Sequence, residues 1–233
     1  MRRSFAMSKN LFITATGTDV GKTYVTALIL KKLRENGKNA AYYKAAMSGN
    51  RRRTDGSLIP GDALYVKKAS GIQQPLKEMC PYLYERAVSP HLAAKIEGNP
   101  LEMEQVLSEF DAVCSQYDYV TIEGSGGIVC PLRFDQQKIQ LEDFIQARQL
   151  NCLLVADAGL GTINSVVLTA EYMKARRIPL KGIVFNRYQQ GNKLHEDNLL
   201  MCQYMTGVSV LACIQYRDTQ LDIPFEVLEG LYQ

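Results

Sequence analysis

The chain has 233 residues, of which 46% are hydrophobic and 22% charged, with a formal net charge of +3. That length suits one α/β domain with a sizeable core, and the charge is too small to argue for nucleic acid or a membrane surface as partner. No apolar run approaches the roughly 20 residues of a membrane span, and Met1-Arg2-Arg3-Ser4-Phe5-Ala6-Met7 lacks the apolar stretch of a signal peptide, so the expected location is cytoplasmic.

In chain order, residues 1–8 are expected to form a flexible N-terminal extension, with Met7 an equally good start, and 9–233 a single domain. Short β-like runs then alternate with longer helical patterns. The runs fall at 11–15, 40–43, 119–122, 152–156, 182–185 and 208–213, and the helical patterns at 22–35, 62–69, 101–116, 141–149, 163–176 and 194–205. Gly37, just past the first helical pattern, is a usual C-terminal stop. The runs are continuously apolar, as in strands buried on both faces. The expected fold is therefore α/β, a doubly wound, mostly parallel sheet flanked by helices, and the Gly-containing loop that runs through Gly17 and Gly21 into Lys22-Thr23 makes it P-loop NTPase-like.

The six cysteines are widely spaced with no C-x-x-C pair, and read as reduced, mostly buried thiols. The two histidines, His91 and His195, share no metal-binding spacing, so a zinc site is not expected. Ser89-Pro90-His91 reads as a helix start with a structural histidine.

Ligands of such sheets bind beyond the carboxyl ends of the strands, so the residues there carry the chemistry. After the first run comes Thr16-Gly17-Thr18-Asp19-Val20-Gly21-Lys22-Thr23. A strand, a Gly-containing loop, Lys-Thr and a helix make a phosphate cradle. Backbone N–H groups face the phosphates, Lys22 reaches the terminal ones, and the Thr23 hydroxyl ligates magnesium. The pattern is irregular, because the position five before Gly21 holds Thr16 rather than Gly.

Lys44 follows the second run and reads either as a solvated surface residue or as a second phosphate-facing cation; the small residues of Ala45-Ala46-Met47-Ser48-Gly49 favour the latter. Glu123 ends the third run before Gly124-Ser125-Gly126-Gly127, where a P-loop protein places a magnesium-organising carboxylate above open N–H groups. Asp62 is either a helix N-cap or a third oxygen donor beside Thr23 and Glu123. Gly161, Thr162, Ile163 and Asn164 open a helix whose N-terminus suits a carboxylate, with a plain cap at Thr162 or Asn164 as the competing account.

Together these segments, with Gly61-Asp62-Ala63-Leu64 and Asn186, resemble the dethiobiotin synthetase family over nearly the whole chain from Lys9 onward. The resemblance implies an ATP- and magnesium-dependent cyclo-ligase of biotin biosynthesis. Its substrates would be 7,8-diaminopelargonic acid, carbon dioxide (or bicarbonate) and ATP, and it would form a carbamate and then a mixed anhydride. Lys22 and Lys44 would be catalytic, and Thr23, Asp62 and Glu123 would hold the metal. Nucleotide contacts would come from Asp19, Val20, Gly21, Lys22, Thr23, Tyr24, Asp62, Glu123, Gly124, Ser125, Gly126, Asn186 and Arg187. Thr18 and Ser48 would position the diamine. Gly161, Thr162, Ile163 and Asn164 of a neighbouring subunit would bind its distal carboxylate, in a homodimer with the site at the interface.

The chain departs from the family at Ala15, where the loop usually has its first Gly, and at Asp19, usually Glu. Segment Ala212-Cys213-Ile214-Gln215-Tyr216 lacks an expected Pro. Two other classes share parts of this pattern. A partitioning- or Min-type regulatory ATPase needs a signature Lys near Thr16-Gly17, and none is there. A cobyrinate-type amidotransferase needs a glutaminase domain that this length does not accommodate.

Overall fold

The protein is described from a computed structural model that covers residues 8–233, so the extension expected at 1–8 falls, but for Ser8, outside the described residues. Six strands make the central sheet: β1 (Lys9–Ala15), β2 (Ala40–Tyr43), β3 (Tyr119–Glu123), β4 (Cys152–Asp157), β5 (Leu180–Asn186) and β6 (Val210–Ile214). Their spatial order is β6-β5-β4-β1-β3-β2, and every neighbouring pair is parallel. Among the described residues antiparallel pairing is confined to two small hairpins, Arg51–Arg52 with Leu58–Ile59 and Pro131–Phe134 with Lys138–Gln140.

A parallel sheet must be covered on both faces, because its crossover helices lie there. One face packs α1 (Lys22–Glu35), α2 (Gly61–Ser70) and the short C-terminal α8 (Phe225–Glu229). The other carries α3 (Pro90–Glu97), α4 (Met103–Cys114) and α5 (Leu141–Ala147). Beside these lie α6 (Thr162–Ala175) and α7 (Lys193–Thr206). Strand β1 shows the period-two division: Leu11, Ile13 and Ala15 enter the first cluster and Phe12 the second.

The expected helix at 22–35 matches α1, which ends at Glu35 and is followed, past the C-cap Asn36, by Gly37 at φ 73°. Segment 62–69 falls within α2, whose N-cap is Pro60, so Asp62 sits inside the first turn and does not cap it. Ser89 and Pro90 do open a helix, α3, with proline in its first turn. All six cysteines are free, and Cys80, Cys130, Cys152 and Cys202 are buried. No helix among the described residues is long and apolar enough to cross a membrane.

Strand order brings the phosphate loop to the middle of the sheet's carboxyl edge. It follows β1, with the ends of β3 and β2 on one side and those of β4 and β5 on the other. Register pairs Ile13 with Glu123 and Tyr43 with Ile122, so Lys44 and Glu123 leave adjacent strands at the same level.

Candidate active site

Above this edge lies a cavity of about 1220 Å³. Of the expected site residues, Thr18, Asp19, Gly21, Lys22, Thr23, Tyr24, Lys44, Ser48, Asp62, Glu123, Ser125, Gly126 and Arg187 all line it. Charged groups from five separate segments therefore meet in one space.

The phosphate loop turns through two left-handed residues, Asp19 at φ 61° and Gly21 at φ 97°. Gly21 caps α1 with its backbone and has no room for a side chain: a Cβ there would lie 2.1 Å from Asn186 Nδ2. The loop is held through its carbonyls from the end of β5. Asn186 Nδ2 donates to the Val20 carbonyl at 2.9 Å, and Arg187 donates to the Asp19 carbonyl at 2.6 Å while pairing with Asp157 at 2.7 Å. Val20, Gly124 and Asn186 stand behind the cavity wall rather than on it, and Gly124 packs against Phe12 and Leu141. In this structure Asn186 anchors the loop through one of its two amide N–H groups.

Lys22 donates to the Gly17 carbonyl at 3.1 Å. Burial first, and the Lys44 ammonium second, lower its pKa to about 8, against the opposing pull of Glu123 and Asp62. Lys44 is buried at the end of β2, and its backbone N–H is tied to the Met79 carbonyl at 2.9 Å. Its Nζ lies 2.7 Å from both Glu123 Oε1 and Asp62 Oδ2. Burial opposes that charge, but the two carboxylates, Glu123 foremost, overcome it and hold the pKa above the ordinary lysine value. The reading of Lys44 as a solvated surface residue is excluded.

Glu123 Oε1 also accepts from Thr23 Oγ1 at 2.8 Å, so Thr23, Glu123 and Asp62 converge around the Lys44 ammonium. Hard oxygen donors of this kind suit magnesium, with phosphates and water completing its shell, and the Thr23 hydroxyl keeps lone pairs free while it donates. Ser125 Oγ donates to the Ala46 carbonyl at 2.9 Å, which ties the Gly-rich segment after β3 to the segment carrying Ser48.

Gly161, Thr162, Ile163 and Asn164 start α6 outside this cavity. Gly161 is the N-cap at φ 87° and no side chain caps the helix, so neither Thr162 nor Asn164 is a plain cap. Thr162 Oγ1 is buried without a hydrogen-bond partner.

Sequence reasoning passed over three groups. Tyr42, fully buried, donates its hydroxyl to Glu123 Oε2 at 3.0 Å. Asn50 joins the 47–50 segment to α2, donating to the Met47 and Tyr84 carbonyls and accepting from the Gly61 N–H. Cys130 lines the cavity, with its thiol pushed up to about 11 by burial. Both tyrosines of β2 carry a hydroxyl, but Tyr42 alone lies two residues before Lys44 and so on the same face, the signal that could have found it.

Residues 9–222 match a protein family described as an AAA domain. An ATP-dependent dethiobiotin synthetase of Brachyspira hyodysenteriae is 47% identical over 209 residues, covering 89% of this chain and 92% of that protein. One from Clostridium botulinum (strain Alaska E43) is 43% identical over 226 residues, covering 97% and 99%. The chain belongs to the dethiobiotin synthetase family. Solved structures of low sequence identity add a likeness of fold. A ParA family ATPase from Chlorobium tepidum superposes with a TM-score of 0.54 at 13% identity, covering 91% of this chain and 85% of that one. The MinC:MinD cell division complex of Aquifex aeolicus gives 0.53 at 14%, covering 96% and 86%. These share the P-loop architecture alone. The partitioning and Min alternative therefore has fold in its favour, whereas the dethiobiotin synthetase family has sequence over its full length.

Proposed function

We propose that this chain is an ATP-dependent dethiobiotin synthetase of biotin biosynthesis, closing 7,8-diaminopelargonic acid and carbon dioxide into a cyclic urea. The observation that carries this reading is the meeting of Lys22, Lys44, Thr23, Asp62 and Glu123 in the cavity that the phosphate loop lines. One amine takes up carbon dioxide and loses a proton to become a carbamate. A carbamate oxygen attacks the γ-phosphorus, ADP leaves, and a carbamic–phosphoric anhydride forms. The second amine then adds to the carbonyl carbon, loses its proton, and expels phosphate as the five-membered ring closes.

Lys22 neutralises phosphate charge from the loop side, and Thr18 and Ser48 line the wall where the diamine and carbamate are positioned. Thr23, Asp62 and Glu123 would hold magnesium, which when bound supplies positive charge beside the β- and γ-phosphate oxygens. Lys44 pairs with those same two carboxylates. In the reaction its ammonium would stabilise the transferring phosphoryl group and the carbamate, where charge builds between two anions. Ring closure needs mainly orientation, since the attacking amine belongs to the same molecule.

The reading includes a homodimer in which Gly161, Thr162, Ile163 and Asn164 of one subunit take the diamine's distal carboxylate in the other's site. The exposed apolar side chains Leu160, Leu168, Leu200 and Tyr204 on and beside α6 and α7 support an interface in that sector. Asn164→Ala is expected to raise the apparent diamine KM roughly tenfold. Altered nucleotide affinity with normal diamine affinity would contradict that role.

Lys22 makes nucleotide binding pH-dependent. Its pKa of about 8 in the free chain means it carries its charge below that pH and loses it above. The nucleotide's negative charge favours the protonated form, so binding above that pH takes up a proton. Apparent ATP affinity should fall about tenfold from about pH 7 to about pH 9, with proton uptake visible by calorimetry in two buffers of different ionisation enthalpy. A flat affinity over that range would remove this linkage. The function as a whole is tested by phosphate release from ATP, which must depend on both the diamine and bicarbonate. Release without either, or none with both, would sink it.

A further inference from the structure

Glu123 divides its two oxygens between different neighbours. Oε1 faces the phosphate end, where it accepts from Thr23 Oγ1 at 2.8 Å and Lys44 Nζ at 2.7 Å. Oε2 faces the core and accepts from the Tyr42 hydroxyl at 3.0 Å. The glutamate side chain is fully buried, and the phenol that meets Oε2 lies in the packed core, so water does not replace that donor. Tyr42 is itself fully buried, packed within the cluster that includes Ala63, Val66 and Met79, and does not line the cavity. Its backbone N–H is fixed in turn by the buried Gln74 Oε1 at 2.8 Å, so the ring is held from the strand as well as from its packing.

Without the phenol, Oε2 would be a buried acceptor with no donor. The carboxylate then gains by rotating about its last torsion, so that both oxygens share Thr23 and Lys44. That rotation turns Oε1 away from the direction it now holds. Proximity alone would not give Tyr42 a role in the reaction; its hold on the face of Glu123 opposite the working oxygen does.

We propose that Tyr42 is a positioning residue for phosphoryl transfer, acting through Glu123: its hydroxyl retains Oε2 so that Oε1 stays directed at the metal–phosphate end of the site. The proposal rests on the function proposed above for its kinetic consequence, but its binding consequence requires only that the site take a metal–nucleotide complex. Tyr42→Phe keeps the ring and removes the donor. Manganese titration by electron paramagnetic resonance, in the presence of ADP, should show a dissociation constant raised roughly five- to tenfold. Turnover should fall roughly tenfold, with the diamine KM within twofold of the parent.

A merely structural hydroxyl would lower the melting temperature and leave the manganese constant unchanged. That outcome overturns the proposal. Should the phenylalanine variant fail to fold, 3-fluorotyrosine placed at position 42 gives a second measurement in a near-native chain. Its fluorine resonance should shift when manganese is replaced by magnesium and Mg·ADP is added, although the ring touches no ligand. A resonance unmoved by saturating Mg·ADP also overturns the proposal. Failure of the diamine reaction in the parent protein, with manganese–ADP binding intact and weakened by Tyr42→Phe, would instead count against the proposed function and leave the positioning role standing.

Discussion

Lys44→Ala is expected to lower turnover by about 10²- to 10³-fold, the cost of losing one preorganised charge at a developing anion. ATP affinity should weaken far less, because the lysine's strongest interaction arises as negative charge builds between carbamate and phosphate. The same substitution has a second, opposite effect. The ammonium sits 2.7 Å from Glu123 and from Asp62, so another cation should have to compete with it for both carboxylates. Removing it should tighten divalent-cation binding to the nucleotide-free protein while abolishing most catalysis. Stability should fall by about 3 kcal/mol or less, since Thr23 and Tyr42 remain as donors to Glu123. Steady-state kinetics, isothermal titration and thermal melting separate the three effects. Unchanged turnover would remove Lys44 from the mechanism.

Gly21→Ala should abolish productive nucleotide binding by a different route. The residue sits at φ 97°, where an L side chain is strained by roughly 1–3 kcal/mol. Its Cβ would also meet Asn186 Nδ2 at 2.1 Å. Asn186 is buried and its amide is engaged by the Val20 carbonyl, so yielding costs that hydrogen bond, about 1 kcal/mol more. Together these weaken ATP by about 30- to 1000-fold if the loop must regain its present shape to bind. Equilibrium binding of a fluorescent ATP analogue measures this directly. Parent-like affinity would mean that the loop binds phosphate in another conformation.

Much of this architecture was legible in advance because its signals are local. Apolar runs at 40–43 and 119–122 read as strands buried on both faces, and α1 reads from its helical pattern and the Gly37 stop. The two-residue ladders, such as Ala46–Met47 with Tyr82–Leu83, carried no such signal, since they are too short to show a period. Asp62 was ambiguous between cap and ligand, because both roles favour the same residue type at a helix start. The structure excludes the cap, because Pro60 holds that position, and pairs Asp62 with Lys44. Tyr42 escaped notice because a tyrosine in an apolar run looks like core, and its hydroxyl matters only through a residue 81 positions away.

The sequence by itself determined the phosphate-binding loop, through a strand, a glycine turn and Lys22-Thr23 lying within one short stretch. It determined the family too, through motifs in a fixed order along the chain. Only the tertiary structure decided which charges face one another. Strand order places β3 between β1 and β2, and so brings Glu123 between Thr23 and Lys44, 100 and 79 residues away along the chain. Periodicity and capping report how a segment buries its own surface. Which segment it meets is set by how the whole sheet assembles, and the competition among cations at this site follows from that assembly.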